Sequence, residues 1–346
     1  MAELNENLVK ESLKSVKYPG FSRDIVSFGL VKEIVIDGGV VTVQLVLSTN
    51  EPAIPAQIKE ESVRALQALA GVREARVKID IQAPAQTTGN FGPAKIEGVR
   101  HILAVASGKG GVGKSTVASN LALALQDAGW KTGLCDCDIY GPSVALMFGG
   151  NEKPMADEEN RIIPIERYGI KLMSMGFLLD DASPAVLRGP MVTRYTQQFL
   201  RQVAWGELDC LVLDLPPGTG DIQLTIVQTV ALSGAVVVTT PQEVALIDAR
   251  KAVTMFSKTS VPVLGIIENM SYFLCPGDGQ RYNIFGEGGG EREAARLQVP
   301  LLGQIPLEIP VREAGDTGNP VYQKAPDSAA ALVFGSVARS LRAALG

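Results

Sequence analysis

With 346 residues the chain has room for one large domain or two ordinary ones, and enough core to bury. Its 46% apolar and 20% charged residues exclude a disordered chain. A net charge of −5 gives no electrostatic footprint for nucleic acid or anionic lipid, and four cysteines are too few for a disulfide framework at this length.

The N-terminal residues 1–7 lack the apolar core of a signal peptide, so a cytoplasmic location is expected. Residues 5–17 place Val9, Leu13 and Val16 on one helical face. Ile25–Ile36 and Val40–Leu47 read as two strands joined at Asp37-Gly38-Gly39, a strong hairpin signal. Ile58–Leu69 reads as a helix, and the run from Gly71 to Ile81 alternates as a third strand. A small α-β-β-α-β domain is therefore expected over 1–82. Residues 83–98, with Pro84, Thr87, Thr88, Gly89, Gly92 and Pro93, read as a linker ahead of a second domain over 99–346.

From Val99 strand-like and helix-like runs alternate, which predicts an α/β fold with a mostly parallel sheet flanked by helices. The single histidine, His101, excludes a His-rich zinc site and is expected at the surface, at the edge of a strand. After the apolar run Ile102–Ala106 comes Gly108-Lys109-Gly110-Gly111-Val112-Gly113-Lys114-Ser115-Thr116. Backbone N–H groups of such a loop, with the helix N-terminus behind it, make a concave phosphate site. Lys114 brings charge to the β/γ-phosphates, and the Ser115 hydroxyl is placed to ligate Mg²⁺.

The next helix carries Val117, Leu121, Ala124, Leu125 and Ala128 on a stripe and stops at Gly129. In the strand Thr132–Asp138, alternation puts Asp136 and Asp138 on one face and Cys135 and Cys137, read as packing residues, on the other. Leu208–Leu215 is an apolar strand in which Cys210 is core. It carries Asp214 at its carboxyl end, where a Mg²⁺ contact belongs beside a phosphate loop. The uncharged run Ile222–Gln242 divides into helix, turn and strand, and is not a membrane span. Ala235–Thr240 and Val263–Glu268 read as buried strands, Gly286–Gly290 and Pro300–Pro310 as connections, and Ser328–Leu345 as a docking helix with the stripe Val333, Val337, Leu341, Leu345.

Four blocks together resemble the Mrp/ApbC-type iron–sulfur cluster carrier ATPases, within the deviant-Walker class that includes MinD and ParA. They are Ser107–Thr116, Asp136–Ser143, Asp214–Asp221 and Glu268–Phe273. Tyr140-Gly-Pro-Ser143 and Pro216-Pro-Gly-Thr-Gly-Asp221 separate this group from MinD and ParA. The first domain resembles the metal–sulfur cluster biosynthesis domain that precedes the ATPase in many of these proteins. The resemblance implies ATP and Mg²⁺ as ligands and a homodimer that serves apo iron–sulfur proteins and assembly factors, while the acidic balance and the lack of basic runs argue against a nucleic-acid or membrane partner. It implies that Lys109 reaches the partner copy's phosphates, that Asp138 orients or deprotonates the attacking water, that Asp136 and Asp214 support Mg²⁺, and that Asn269 reads adenine.

The departures are at cysteines. The family's C-x-x-C, which in a dimer supplies four thiolates to a [4Fe–4S] cluster, reads Cys275-Pro276-Gly277-Asp278 here, leaving two thiolates and two carboxylates. The first domain has no cysteine in Thr49–Pro55, where related domains often carry one. A cluster-free ATPase adaptor working through protein contacts is the alternative reading; a MinD- or ParA-like positioning ATPase is disfavoured by the acidic balance.

Overall fold

In the computed structural model, residues 4–17, 19, 24–26, 29–48, 53–82, 93–150, 152–159, 161–178 and 189–346 are described. The chain divides into two compact units, 1–90 and 91–346.

In the first unit, α1 (Glu6–Leu13) is capped by Asn5, whose side chain accepts from the Leu8 N–H. It is followed by β1 (Val31–Asp37), β2 (Val40–Ser48), α2 (Ala53–Gln67) and β3 (Glu74–Gln82). Strand β2 is central, antiparallel to β1 and parallel to β3. Alternation places Val41, Val43, Leu45 and Leu47 on one face, fully buried with Val9, Leu13, Ile58 and Leu66. Two boundaries differ from expectation. The run Ile25–Ile36 becomes strand only at Val31, because Ile25 turns back to bond Val16 and is buried there. Helix α2 begins five residues early, since Pro55 fits a first turn, where no N–H is needed. Residues 49–52 of the Thr49–Pro55 stretch lie outside the described residues.

The second unit begins within the expected linker. Residues 83–92 lie outside the described part, but Ala94 bridges Val230 and Ile96 is buried in the larger core. The elements are β4 (Val99–Ala106), α3 (Lys114–Asp127), β5 (Thr132–Asp136), α4 (Val144–Met147), β6 (Ile165–Arg167), β7 (Ile170–Met173), α5 (Gly189–Gln202), β8 (Leu208–Asp214), α6 (Asp221–Thr229), β9 (Gly234–Thr239), α7 (Glu243–Lys258), β10 (Val263–Glu268), β11 (Phe273–Leu274), β12 (Arg281–Tyr282), α8 (Gly289–Leu297), β13 (Leu301–Gln304), α9 (Ile309–Asp316), α10 (Val321–Lys324) and α11 (Ala329–Leu345). Eight strands form one sheet in the order β13-β10-β9-β4-β8-β5-β7-β6, parallel except for β6. Strands β4, β8 and β9 read as continuous apolar runs because both faces of the sheet are covered. The run 222–242 is helix α6, a turn and strand β9, as read; among the described residues no helix is long and apolar enough to cross a membrane.

Three expectations are corrected here. The strand from Thr132 ends at Asp136, because the Asp138 N–H turns back onto the Asp136 carboxylate. Pro300–Pro310 is not merely a connection, since it contains β13 and the start of α9. His101 lies near the start of β4, as read, but is half-buried and not at the surface, its imidazole stacked on Trp130 with centroids 5.5 Å apart. The stripe of α11 docks on α3, with Phe334, Val337, Ala338 and Leu341 buried.

Burial, reinforced by the Arg100 charge, holds the His101 imidazole below its usual 6.5, against the pull of Asp209. Its Nε2 is buried without a hydrogen-bond partner. Below about pH 6.5 the unfolded chain therefore takes up a proton that the folded chain resists. Stability from this site is fully present above that pH and is lost as pH falls. His101→Phe, which keeps the stacking, is expected to flatten the dependence of the unfolding midpoint between pH 5 and 6.5. An NMR titration of this sole imidazole reads the shift directly, and an ordinary titration at pH 6.5 would contradict it.

Candidate functional site

The site forms where β4, β8 and β5 end side by side. Chain leaving β4 at Ala106 turns through Ser107–Gly113 into α3, whose first residue is Lys114. Gly111 and Gly113 take φ of +82° and +81°, conformations open to glycine and costly for other residues. Gly108 is required for a different reason: a Cβ there would lie 2.0 Å from the Asp248 carbonyl oxygen on α7. The Ser107 hydroxyl donates to the Lys109 carbonyl, and the Gly218 N–H donates to the Ser107 carbonyl, tying the Pro216–Gly220 block to the loop.

Lys114 is buried, and its Nζ donates to Asp214 Oδ1 at 2.5 Å and Ser115 Oγ at 3.2 Å. The other carboxylate oxygen, Asp214 Oδ2, is buried with no hydrogen-bond partner. Burial pushes the Asp214 carboxyl up, and Lys114 opposes that shift. Asp136 is also fully buried and is pushed up to about 7, first by burial and then by the Asp214 charge. Two buried carboxylates thus face one ammonium. A divalent cation suits that imbalance, with Ser115 Oγ and Asp214 Oδ2 as the oxygens that fit it.

Asp136 itself is committed to its loop. Its Oδ2 accepts from the N–H groups of Ser143 and Val144 and from Ser174 Oγ, and its Oδ1 from the Asp138 N–H. It thereby fixes the Tyr140–Ser143 turn, leaving Mg²⁺ support through water as the role open to it. Asp138 is half-buried, accepts from the Gly141 N–H, and lies close enough to raise the Asp214 carboxyl further. Lys109 is half-buried, Gly110 and Gly111 are exposed at the loop tip, and the Thr116 carbonyl accepts from Asn120.

Asn269 follows β10 and is buried against the loop, its Nδ2 donating to the Val112 carbonyl at 2.9 Å. A Cβ on Gly113 would lie 2.2 Å from that Nδ2. This bracing contact was not legible in sequence. Neither was the network of Glu268, a fully buried carboxylate: its Oε1 accepts from Ser271 Oγ and Gln304 Nε2, and its Oε2 from the Gly290 N–H. Ser174 was missed as well, since the short strand β7 before it gave no periodic signal.

Cys275 is not at the phosphate loop but in the turn between β11 and β12, half-buried. Its N–H donates to the Gln280 carbonyl, and its carbonyl accepts from the Gly279 N–H. Asp278 accepts from the Gln280 N–H and from the Tyr282 hydroxyl at 2.7 Å; these donors and the Cys275 thiol hold its carboxyl below the usual range. Cys135, Cys137 and Cys210 are all at most 1% exposed, as packing residues should be.

Residues 98–342 match the family model of the NUBPL iron-transfer P-loop NTPases, and residues 6–79 match that of the iron–sulfur cluster assembly proteins. An iron–sulfur cluster carrier protein of Deinococcus radiodurans is 46% identical over 98% of this chain and 95% of its own length. The iron–sulfur cluster transfer protein NUBPL of Dictyostelium discoideum is 48% identical over 71% of this chain and 77% of its own. Among solved structures, an Archaeoglobus fulgidus nucleotide-binding protein in complex with ADP is 41% identical, with a TM-score of 0.59 over 66% of this chain and 90% of that one. The cell division ATPase MinD of Pyrococcus furiosus, 23% identical with a TM-score of 0.55 over 70% of this chain and 99% of that one, shares the fold. A glycine loop opening a helix, an acid at the end of the neighbouring strand and a matching small first domain thus meet in one chain, which belongs to the NUBPL iron-transfer family of P-loop NTPases.

Proposed function

We propose that this chain hydrolyses ATP with Mg²⁺ and works in the cytoplasm as a homodimer that binds an iron–sulfur cluster and delivers it to apo-proteins. The observation that carries the reading is the placement of the only non-buried thiol, Cys275, six residues along the chain from Asn269 at the phosphate loop. Lys114 supplies charge to the β/γ-phosphates, Ser115 and Asp214 hold Mg²⁺, and Asp136 supports it through water. Asp138 orients the attacking water, and Lys109 reaches the phosphates bound to the partner copy. Asn269 Nδ2 is engaged by Val112, and the acceptor at its other end, Oδ1, suits the exocyclic amine of adenine.

One copy offers one accessible thiol, so a cluster is closed by two copies, each giving Cys275 and Asp278. That set of two thiolates and two carboxylates is harder than four thiolates and holds a [4Fe–4S] cluster more loosely, which suits delivery. Anaerobic reconstitution with iron and sulfide tests this. Native protein is expected to retain cluster iron, and Cys275→Ala to lose it. Asp278→Cys is expected to slow its removal by a chelator about tenfold, the equivalent of ~1.4 kcal/mol. Bound iron unchanged in Cys275→Ala would remove this site, and no bound iron in any variant would remove the carrier role. The cluster-free adaptor reading is favoured by one observation, the absence of any cysteine before Cys135. It predicts client binding by the iron-free protein.

A further inference from the structure

The phosphate loop and the cysteine hairpin are joined by one short, continuously anchored run of chain. A phosphate loop grips its ligand through backbone N–H groups, so the ligand bears on individual peptide planes. In the plane joining Val112 to Gly113, the N–H belongs to Gly113 and faces away from the carbonyl of Val112. That carbonyl accepts from Asn269 Nδ2 at 2.9 Å. An anion on the N–H side polarises the peptide and strengthens the bond on the carbonyl side, because hydrogen bonds in a chain reinforce one another.

From Asn269 the chain has little freedom. The Asn269 N–H donates to the Thr239 carbonyl, the Ser271 N–H to the Ile305 carbonyl, and the Tyr272 carbonyl accepts from Leu307. Ser271 Oγ is held by Glu268 at 2.6 Å, and Phe273 bridges Leu307 before β11 opens the hairpin. Between the two anchored residues sits Met270 at φ +52°, a left-handed conformation that a side chain of this size resists. A residue in such a conformation persists only where its neighbours over-determine it, and these positions cluster at sites whose geometry is used. Six residues span at most about 20 Å, so loop and thiol are within one short lever of each other.

We infer that the Val112–Gly113 peptide, Asn269 and the run from Met270 to Leu274 form a strut that passes nucleotide occupancy at the loop to the Cys275 hairpin. Met270 and Ser271 act in it as positioning residues. The inference rests on the reading of the loop as a nucleotide site and on nothing about the cargo. Coupling of this kind is reciprocal in binding free energy, so a ligand held reversibly by Cys275 changes nucleotide affinity by the factor by which nucleotide changes the affinity for that ligand.

The test uses full-length protein freed of iron by chelation. Since the other thiols are buried, a fluorogenic maleimide reports on Cys275, with Cys275→Ala as the blank. Saturating ADP–Mg²⁺ is expected to change the native labelling rate at least about fivefold. In Met270→Gly, which puts a freely rotating residue inside the strut, the change is expected to shrink below about twofold while ADP still binds. If that variant does not fold, Ser271→Ala, which cuts the bond to Glu268, takes its place. A native rate indifferent to bound ADP, or an undiminished change in the variant, would overturn the strut. Failure of ADP to bind the native protein would overturn the nucleotide reading and the strut with it.

Discussion

Replacing Lys114 by alanine is expected to lower ATP turnover by about 10²–10³-fold or more, because the role proposed for this buried ammonium is to bring charge to the transferring phosphate. The same change is expected to destabilise residues 91–346, for a reason independent of nucleotide. Lys114 is the ammonium that Asp214 and Asp136 face in a fully buried space. Removing one member of a buried pair costs about 3–5 kcal/mol when the other stays charged. The carboxylates can escape part of that cost by taking up protons, so the sign of the pH dependence is fixed. Asp136 is already raised to about 7 with Lys114 present. A carboxyl raised above its unfolded value contributes stability at low pH that is lost as pH rises through the folded value. Without Lys114 the folded value rises further, and the stability deficit is expected to be small near pH 5.5 and large near pH 8. Turnover and denaturant unfolding at those two pH values check both parts. A deficit equal at both would mean that Lys114 does not balance these acids.

Glu268→Ala is expected to cost about 3–5 kcal/mol, the second largest effect. The substitution leaves the Gly290 N–H, Ser271 Oγ and Gln304 Nε2 without their acceptor in a space closed to water. It also removes the carboxylate that faces the first turn of α8 through the Gly290 N–H. Glu268→Gln keeps the shape but points an NH₂ group at donors, and about half the loss is expected to remain. Both tryptophans, Trp130 and Trp205, lie in this unit, so their fluorescence follows its unfolding. A Glu268→Ala protein as stable as the native one would show that the network holds nothing.

What could be read from the sequence was what periodicity and local chemistry determine. The apolar runs at 102–106, 208–215 and 235–240 announced buried parallel strands, and Asp37-Gly38-Gly39 announced its hairpin. Gly113-Lys114-Ser115 fixed where the helix begins, because only glycine suits the residue ahead of it. Helices α5 and α7, of 14 and 16 residues, were not singled out, and the strands that escaped were short ones. Strands β6, β7 and β13 have three or four residues, too few for alternation to rise above chance. At the site, charged groups were legible by type and not by partner. Asp136 looked like a metal ligand beside Asp138, yet its oxygens serve the turn that follows, through Ser143, Val144 and the distant Ser174. Asn269 was legible as a base-reading amide, while its grip on Val112 depends on two chain segments that only the fold brings together.

The margins of the large sheet restrict how copies of this protein can associate. Among the described residues one margin is β13, with four residues, and the other is β6, with three, running against its neighbour. Margins this short offer almost no template for another chain to extend the sheet, which protects a concentrated solution from ribbon-like polymers. They also remove continuation of this large sheet as a route to pairing. A contact between copies made by this unit would therefore use side chains and loops, an interface that is made and broken without unzipping a ladder of backbone bonds.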